Sequence, residues 1–286
     1  MAPTGAALAR WMDLRRFTPA RVALGRAGNG LPTAAHLAFQ AAHAAARDAV
    51  QASLDIDALR VALGRAGNGL PTAAHLAFQA AHAAARDAVQ ARLDVDALRT
   101  DLQDTGLPSI AVRSKAQDRR NYLLRPDLGR RLSDPALIPH LPGSLLFVVC
   151  DGLSAIAVQR HAVPLLRQVV PRLSGPVAPI VVAEQGRVAL GDEIGEPMEA
   201  EAVAVLIGER PGLSAPDSLG VYLTWQPRRG RTDAERNCIS NIRSEGLPPH
   251  AAADKLLWLI GAMRRLRLSG VLLKDEQPIT KQIRED

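Results

Sequence analysis

Three carboxylates in the segment GDEIGE are spaced for acid–base chemistry. Asp192 and Glu196 stand four residues apart and Glu193 stands between them, so a helix would bring the carboxyl groups close together. Paired carboxylates of this kind can act as a general acid and a general base. The same residues are typical of a helix start, because the first turn favours negative charge. The helix start is the simpler interpretation, and we assign no catalytic acid or base.

Two histidines recur in each copy of a repeated segment, as His36 and His43 and again as His75 and His82. Histidine is a common metal ligand, but seven residues of helix separate each pair by about 10 Å along the axis. That distance is too long for one ion to be shared. The spacing therefore predicts polar residues on one helix face and no metal site.

Glu209 and Cys238 are single residues in positions that suit a binding site. Glu209 directly follows the apolar segment AVAVLIG, where a side chain points toward a ligand in many α/β proteins. Cys238, in RNCISNI, has no neighbouring histidine in the sequence, so a catalytic thiolate is not indicated. A small buried residue and a ligand contact both remain open for Cys238.

The elements that must position these residues are apolar segments of strand length. SLLFVVC is expected to be a strand followed by a helical segment, PIVVAEQG and AVAVLIG repeat this scheme, and GVYLTW is expected to be a fourth strand. Apolar strands alternating with helices predict an α/β fold, with a mostly parallel sheet and helices on both faces. Ligands bind outside the carboxyl ends of such strands. This rule selects the turn at Asp151 and the segments 186–188 and 208–212.

The repeat itself spans residues 21–52 and returns unchanged as residues 60–91. Two copies are too few for a solenoid, which needs about three. Each copy predicts a glycine-rich turn and then a helix that begins near Pro32 or Pro71. The glycine order, G-x-x-G-x-G, is not that of a dinucleotide-binding loop. Verbatim identity indicates a recent or engineered duplication of a segment that the fold needs once.

The composition and charge of the chain limit the classes of partner that it is expected to bind. The net charge is +6 and the isoelectric point about 10.0, but aromatic residues make up only 3% of the chain, so stacking platforms for single-stranded nucleic acid are scarce. We expect no nucleic-acid partner. No apolar run approaches the roughly 18 residues of a membrane span, so we expect no membrane partner either. The two cysteines offer no disulfide framework, which suits the cytoplasm.

Seven segments together resemble the small (light) subunit family of ethanolamine ammonia-lyase. They are ARVALGRAG, NYLLRPDLGRRL, DGLSAIAV, QGRVALGDEIGE, LIGERPGL, TDAERNCISNI and LSGVLLKD. The resemblance covers nearly all of the chain apart from the extra repeat copy. It implies a helical N-terminal region, residues 1–110, which holds both repeat units (21–59 and 60–98), and a Rossmann-like cobalamin-binding domain, residues 111–286.

The resemblance also implies the activity. The family enzyme depends on adenosylcobalamin and converts ethanolamine to acetaldehyde and ammonia by a radical mechanism that begins with homolysis of the cobalt–carbon bond. A large subunit carries the substrate site, and the small subunit holds one side of the cofactor without supplying catalytic residues or metal ligands. Free cytoplasm and a bacterial microcompartment are both open as locations.

Carried over position by position, the family's cofactor contacts fall on Val188, Glu209 and Cys238. Arg187 is a weaker candidate that would suit hydrogen bonds to polar groups of the cofactor. The pattern D-x-H-x-x-G, by which some proteins ligate cobalt, is incomplete around His140, because Ile138 stands in place of the aspartate. This departure fits a cofactor that keeps its own dimethylbenzimidazole on cobalt, and it predicts a structural role for His140.

Two other functions compete with this one. The duplicated helix could form a scaffold that binds a partner and no longer supports the lyase, or the chain could be a nucleotide-dependent oxidoreductase, which the glycine order disfavours. The sequence does not decide which copy occupies the family's position. We expect the C-terminal domain to fold normally, with the surplus helix either packed beside the first or looped out.

Overall fold

The computed structural model of the chain describes residues 72–274. The first repeat unit, residues 21–59, lies outside the described residues, and the predictions for its helix stay predictions. The chain divides after His75, and apart from the first turn of the first helix below, every described element belongs to the unit that starts at Leu76. The division of the chain at residue 110 also stays a prediction.

The described residues form six strands and six α-helices. The strands are β1 (Ser109–Arg113), β2 (Leu145–Cys150), β3 (Ile180–Glu184), β4 (Ala202–Gly208), β5 (Leu219–Trp225) and β6 (Arg236–Ile242). The helices are α1 (Thr72–Gln90), α2 (Val95–Asp104), α3 (Arg119–Leu124), α4 (Ala155–Val169), α5 (Leu190–Met198) and α6 (Pro249–Leu266). The four segments predicted as strands form β2, β3, β4 and β5. SIAVR and RNCISNI, for which no strand was predicted, form β1 and β6.

The strands form one sheet in the order β1-β3-β2-β4-β5-β6. The first four are parallel, and β5 runs antiparallel to both of its neighbours. The reversal has a simple cause. A parallel connection needs a crossover of about a dozen residues, usually with a helix, whereas residues 209–218 between β4 and β5 form a loop.

The central strands are covered on both faces. Every residue of β2 and of β4 is buried, which explains their unbroken apolar sequences. One face packs against α2, α4 and α6, and the other packs against α5. The prediction of a mostly parallel sheet with helices on both faces is therefore confirmed for this half of the sheet.

The outer strands β5 and β6 are covered on one face and only in part on the other. Leu219, Val221 and Ile239 face the core that contains α4 and α6. Tyr222 and Cys238, which pair across the two strands, point to the opposite face, where Cys238 is exposed and Tyr222 is half-buried. At the start of β6 the same face is covered, because Arg236 is buried and pairs with Asp192 of α5. We call the remaining part of this face, around Tyr222 and Cys238, the open face.

The second repeat copy provides α1, and α2 begins in the connector that follows it. The helix α1 is described from Thr72 onward, and the predicted start near Pro71 lies at the edge of the described residues. Its last turns pack against the rest of the unit, with Ala88 fully buried, and Leu93 and Leu98 anchor the following connector and α2 in the core. The side chain of Asp94 accepts a hydrogen bond from the backbone of Ala97 and caps α2.

Within residues 72–274, none of the helices combines the length and the apolar character needed to cross a lipid bilayer.

Candidate functional site

The loops that follow β2, β3 and β4 meet at one edge of the sheet. The backbone N–H of Leu153 donates to the carbonyl oxygen of Gly208 at 2.9 Å, and the N–H of Gly186 donates to the carboxylate of Asp151 at 3.1 Å. Gly152 has a φ of 56°, and a Cβ atom there would lie 2.3 Å from the carbonyl oxygen of Gly208. Only glycine allows the loops to approach this closely.

A cleft of about 400 Å³ lies between these loops and β5. Its lining includes Tyr122, Leu153, Arg187, Val188, Glu209 and Tyr222. Two of the three predicted cofactor contacts, Val188 and Glu209, therefore share one cleft. The third, Cys238, lies beside it on the open face, opposite Tyr222 in the strand register.

Three donors fix the carboxylate of Glu209. The hydroxyls of Ser218 and Ser240 and the backbone N–H of Asn241 all donate to it, at distances between 2.5 and 3.1 Å. A Cβ atom on Gly220 would lie 2.9 Å from the same carboxylate, so glycine at that position leaves room for it. A carboxylate offers about four lone-pair sites, and three donors leave capacity for a donor from a ligand.

Tyr122 supports the segment that carries Arg187 and Val188. The Tyr122 hydroxyl donates to the carbonyl oxygen of Gly186 at 3.0 Å, and the Arg187 guanidinium carbon lies 4.2 Å from the centre of the Tyr122 ring. This cation–π contact holds the arginine against the wall of the cleft. The backbone N–H of Arg187 donates to the carbonyl oxygen of Gly129 at 2.8 Å. Val188 is thus presented to the cleft by a segment that is fixed on both sides.

Cys238 is exposed, which excludes the buried alternative for this residue. The protein packed around the sulfur raises the pKa of the Cys238 thiol, and the Glu209 carboxylate acts in the same direction, whereas a hydrogen bond with Tyr222 opposes both. A thiol with a raised pKa stays protonated at neutral pH and is a poor nucleophile. The geometry therefore suits a contact residue and gives no support to a catalytic thiolate.

A buried ion pair lies under the loops of the cleft. The Arg119 guanidinium donates to the carbonyl oxygens of Gly152 at 2.8 Å and Val89 at 2.7 Å, and it lies 3.5 Å from the Asp151 carboxylate. Burial raises the pKa of Asp151 to about 6, while Arg119 and the neighbouring backbone N–H groups act against this shift. Arg119 therefore connects the C-terminal end of α1 to the loop after β2.

Arg119 and Tyr122 were not among the candidate residues, because the segment DRRNYLLRPDLGRR has no apolar run and no catalytic motif. Residues 119–124 form α3, and Asp118 caps it by accepting from the backbone N–H of Asn121 at 2.7 Å. An aspartate three residues before an asparagine is a local signal for a helix start. The pairing of Arg119 with Asp151 has no such signal, because 32 residues of sequence separate them.

The carboxylates of GDEIGE open α5, as the helix-start interpretation predicts. Asp192 and Arg236 form a buried ion pair with two hydrogen bonds. Glu193 is also buried and pairs with Arg131 at 2.9 Å and with Arg229 at 2.7 Å. Carboxylates held in this way neutralise arginines, so an acid–base pair is not supported.

His140 lies away from the cleft. It precedes β2 and so stands near the amino end of the parallel strands, and its Nε2 is 3.3 Å from the carboxylate of Glu199. Both side chains are more than 60% exposed. Its contacts are those of a surface residue.

The chain is similar to known proteins over most of its length. The model of the family described as ethanolamine ammonia-lyase light chain (EutC) matches residues 8–60 and 56–274, and each matched range contains one repeat copy. An ethanolamine ammonia-lyase small subunit from Azotobacter vinelandii is 50% identical over 282 residues, which cover 95% of this chain and 90% of the relative.

Two further relatives carry the same name. The protein from Xanthomonas campestris pv. campestris is 54% identical over 277 residues, and the protein from Ralstonia nicotianae is 53% identical over 276 residues. Both alignments cover 93% of this chain and 88% of the relative. The chain belongs to the ethanolamine ammonia-lyase light chain family.

Proposed function

We propose that this chain is the small subunit of ethanolamine ammonia-lyase and that its cleft and open face hold one side of adenosylcobalamin against the large subunit. Family membership supports the first part. The second part is carried by one observation: the residues expected to contact the cofactor, Val188, Glu209 and Cys238, surround a cleft and the open face. The described unit serves as a Rossmann-like cofactor domain behind a helical N-terminal region.

The residues present fit the proposed cofactor. Cobalamin is a large, flat molecule whose rim carries several primary amides, and these are hydrogen-bond donors. The fixed carboxylate of Glu209 can accept from such an amide, and the half-buried faces of Val188 and Tyr222 offer apolar contact to a flat ring. A flat ligand also suits the open face of the sheet.

Each residue has a binding role. Glu209 orients an amide of the ligand, Val188 and Cys238 contact the ring system, and Arg187 offers hydrogen bonds from the far wall of the cleft. Bound adenosylcobalamin supplies the radical that starts the conversion of ethanolamine to acetaldehyde and ammonia. The substrate binds in the large subunit, so this chain positions the cofactor and helps to exclude water. We place the assembled enzyme in the cytoplasm, free or inside a bacterial microcompartment.

Co-expression with the large subunit tests the proposal. We expect the complex to release ammonia from ethanolamine when adenosylcobalamin is added and to bind the cofactor in a titration followed by absorbance. Absence of both activity and binding in a complex that assembles would overturn the proposed function.

Glu209→Gln tests the site itself. Loss of a charged acceptor should weaken cofactor binding about ten-fold. Glu245→Gln is the matched control, because Glu245 is 86% exposed and pairs only with Arg243 at 3.5 Å in the described part of the chain. If the wild-type complex and the Glu209→Gln complex bind adenosylcobalamin with equal affinity, Glu209 does not contact the cofactor.

A further inference from the structure

A second basin, of about 580 Å³, lies next to the cleft and shares Arg187 and Val188 with it. Arginines dominate its lining: Arg130, Arg131, Arg187, Arg229, Arg231 and Arg236. Only Arg187 was a candidate from the sequence. The other five had no signal, because the six arginines come from four separate segments of the chain.

The basin has an excess of positive charge. Three carboxylates line it, those of Asp192, Glu193 and Asp233, against six guanidinium groups. Glu193 is shared by two of the arginines and Asp192 is taken by a third. Arg231 pairs with Glu235, which does not line the basin. Two positive charges, those of Arg130 and Arg187, therefore remain without a carboxylate partner in the described part of the chain.

Two donors in the basin are buried and unpaired. The Nε atoms of Arg187 and Arg236 have no hydrogen-bond partner among the described residues. The side chain of Arg236 is only 2% exposed, and its nearest further carboxylate, that of Asp233, is 3.7 Å from Nε, beyond hydrogen-bond length. Leaving a buried donor unpaired is costly, which points to an acceptor supplied by a ligand.

We infer that this basin binds a phosphate group. Guanidinium groups match phosphate oxygens with two parallel hydrogen bonds, and a concave group of arginines from separate segments is typical of phosphate sites. Because the basin and the cleft share Arg187 and Val188, we assign the phosphate to the phosphodiester in the nucleotide tail of cobalamin. This assignment of the source depends on the proposed cofactor site, whereas the phosphate chemistry depends only on the arginines.

The test compares ligands with and without the phosphate. Adenosylcobalamin carries the nucleotide tail and adenosylcobinamide lacks it, so each is titrated into the assembled complex, followed by absorbance. The variant is Arg130→Gln combined with Arg229→Gln, both exposed side chains, so the buried Arg236 is untouched and Glu193 keeps Arg131. The control is Arg160→Gln combined with Arg172→Gln, two arginines of similar exposure on or just after α4.

We expect the variant to bind adenosylcobalamin about ten-fold more weakly and to bind adenosylcobinamide as well as the wild type. The control should bind both ligands like the wild type. Inorganic phosphate should compete with adenosylcobalamin in the wild type and not in the variant. An equal loss for both corrinoids would overturn the inference, because the affected contact would not involve the phosphate.

Other outcomes separate the remaining explanations. In one such outcome, inorganic phosphate binds the wild-type complex and not the variant, whereas adenosylcobalamin binds both with equal affinity. The basin is then a phosphate site, but the cofactor is not the ligand that supplies the phosphate. If the variant no longer assembles with the large subunit, by size-exclusion chromatography, the basin is a docking surface for acidic residues and the inference is wrong. If neither protein binds a corrinoid, the proposed function fails, and calorimetric titration with phosphate still decides whether the basin binds phosphate.

Discussion

The two halves of the sheet differ in what covers them. In β2 and β4 every side chain is buried, and helices pack on both faces. In β5 and β6 one face packs against the core, and the other is buried at Thr224 and Arg236 and presents Tyr222, Cys238 and Ser240. The covered half supplies stability, and the open half supplies a surface that the described residues leave for a ligand or a partner. Substitutions in the covered half should therefore lower stability, whereas substitutions in the open half should weaken binding.

Phe147→Ala in the covered half should have the largest effect on stability. Phe147 is fully buried in β2, and its removal leaves a cavity under α4. Loss of a buried phenylalanine lowers the free energy of unfolding by about 3–5 kcal/mol. Urea unfolding of the isolated chain, followed by circular dichroism, measures the change.

The open half should respond in the opposite way. Cys238→Trp places a large ring on the exposed face of β6, in a strand position that tolerates aromatic residues. We expect the free energy of unfolding to change by no more than about 0.5 kcal/mol, while the complex loses most of its affinity for adenosylcobalamin. If Cys238→Trp unfolds the chain as readily as Phe147→Ala, the two halves are not distinct.

Asp151 directly follows β2 in the covered half, and it makes stability depend on pH. Burial raises its pKa to about 6, against about 3.9 in an unfolded chain. The folded state therefore holds the proton more tightly, and this carboxyl lowers stability as the pH rises from about 4 to about 6. Asp151→Asn removes this dependence, so the variant should gain about 2 to 3 kcal/mol relative to the wild type across that range.

Urea unfolding at pH 4 and at pH 7 measures that difference. Asp127→Asn is the control, because Asp127 is exposed and its hydrogen bond to Arg125 lowers its pKa. The free energy of unfolding of Asp127→Asn, relative to that of the wild type, should not increase as the pH rises. Parallel stability curves for the wild type and Asp151→Asn would show that burial of Asp151 has no energetic consequence.

The contrast between the halves also explains what the sequence could predict. β2, β3 and β4 are unbroken apolar segments, and their ends selected the loops that carry Val188 and Glu209 and border the cleft. β6 was missed because RNCISNI contains no apolar run and no strict alternation: its buried residues, Arg236, Ile239 and Ile242, are three positions apart. β1 was missed because SIAVR is short and only Val112 in it is buried.

Long-range pairings had no signal in the sequence. Arg119 meets Asp151, and Arg236 meets Asp192 across 44 residues, and neither spacing belongs to a recognisable motif. The antiparallel direction of β5 was predictable in principle, because the ten residues before it contain no helix. The sequence therefore predicts the loops that border the cleft, and it does not predict the ion pairs that hold them.

The repeat permits the most finely matched comparison. Deletion of residues 21–59 and deletion of residues 60–98 give chains that differ at two positions only: the first keeps Arg92 and Val95, and the second has Ser53 and Ile56 there. Arg92 is exposed and Val95 is half-buried. The two shortened chains should therefore differ in free energy of unfolding by less than about 1 kcal/mol.

Cofactor affinity should be the same in both shortened chains. Arg119 contacts the carbonyl oxygen of Val89, and a backbone acceptor does not depend on which copy supplies it, since Val50 occupies the same place in the first copy. Titration of the two assembled complexes with adenosylcobalamin measures this. Cofactor binding by only the chain that keeps Val95 would contradict this expectation. The connector, and not the repeated helix, would then set the position of α1, and binding at the open face would depend on the packing of α2 in the covered half.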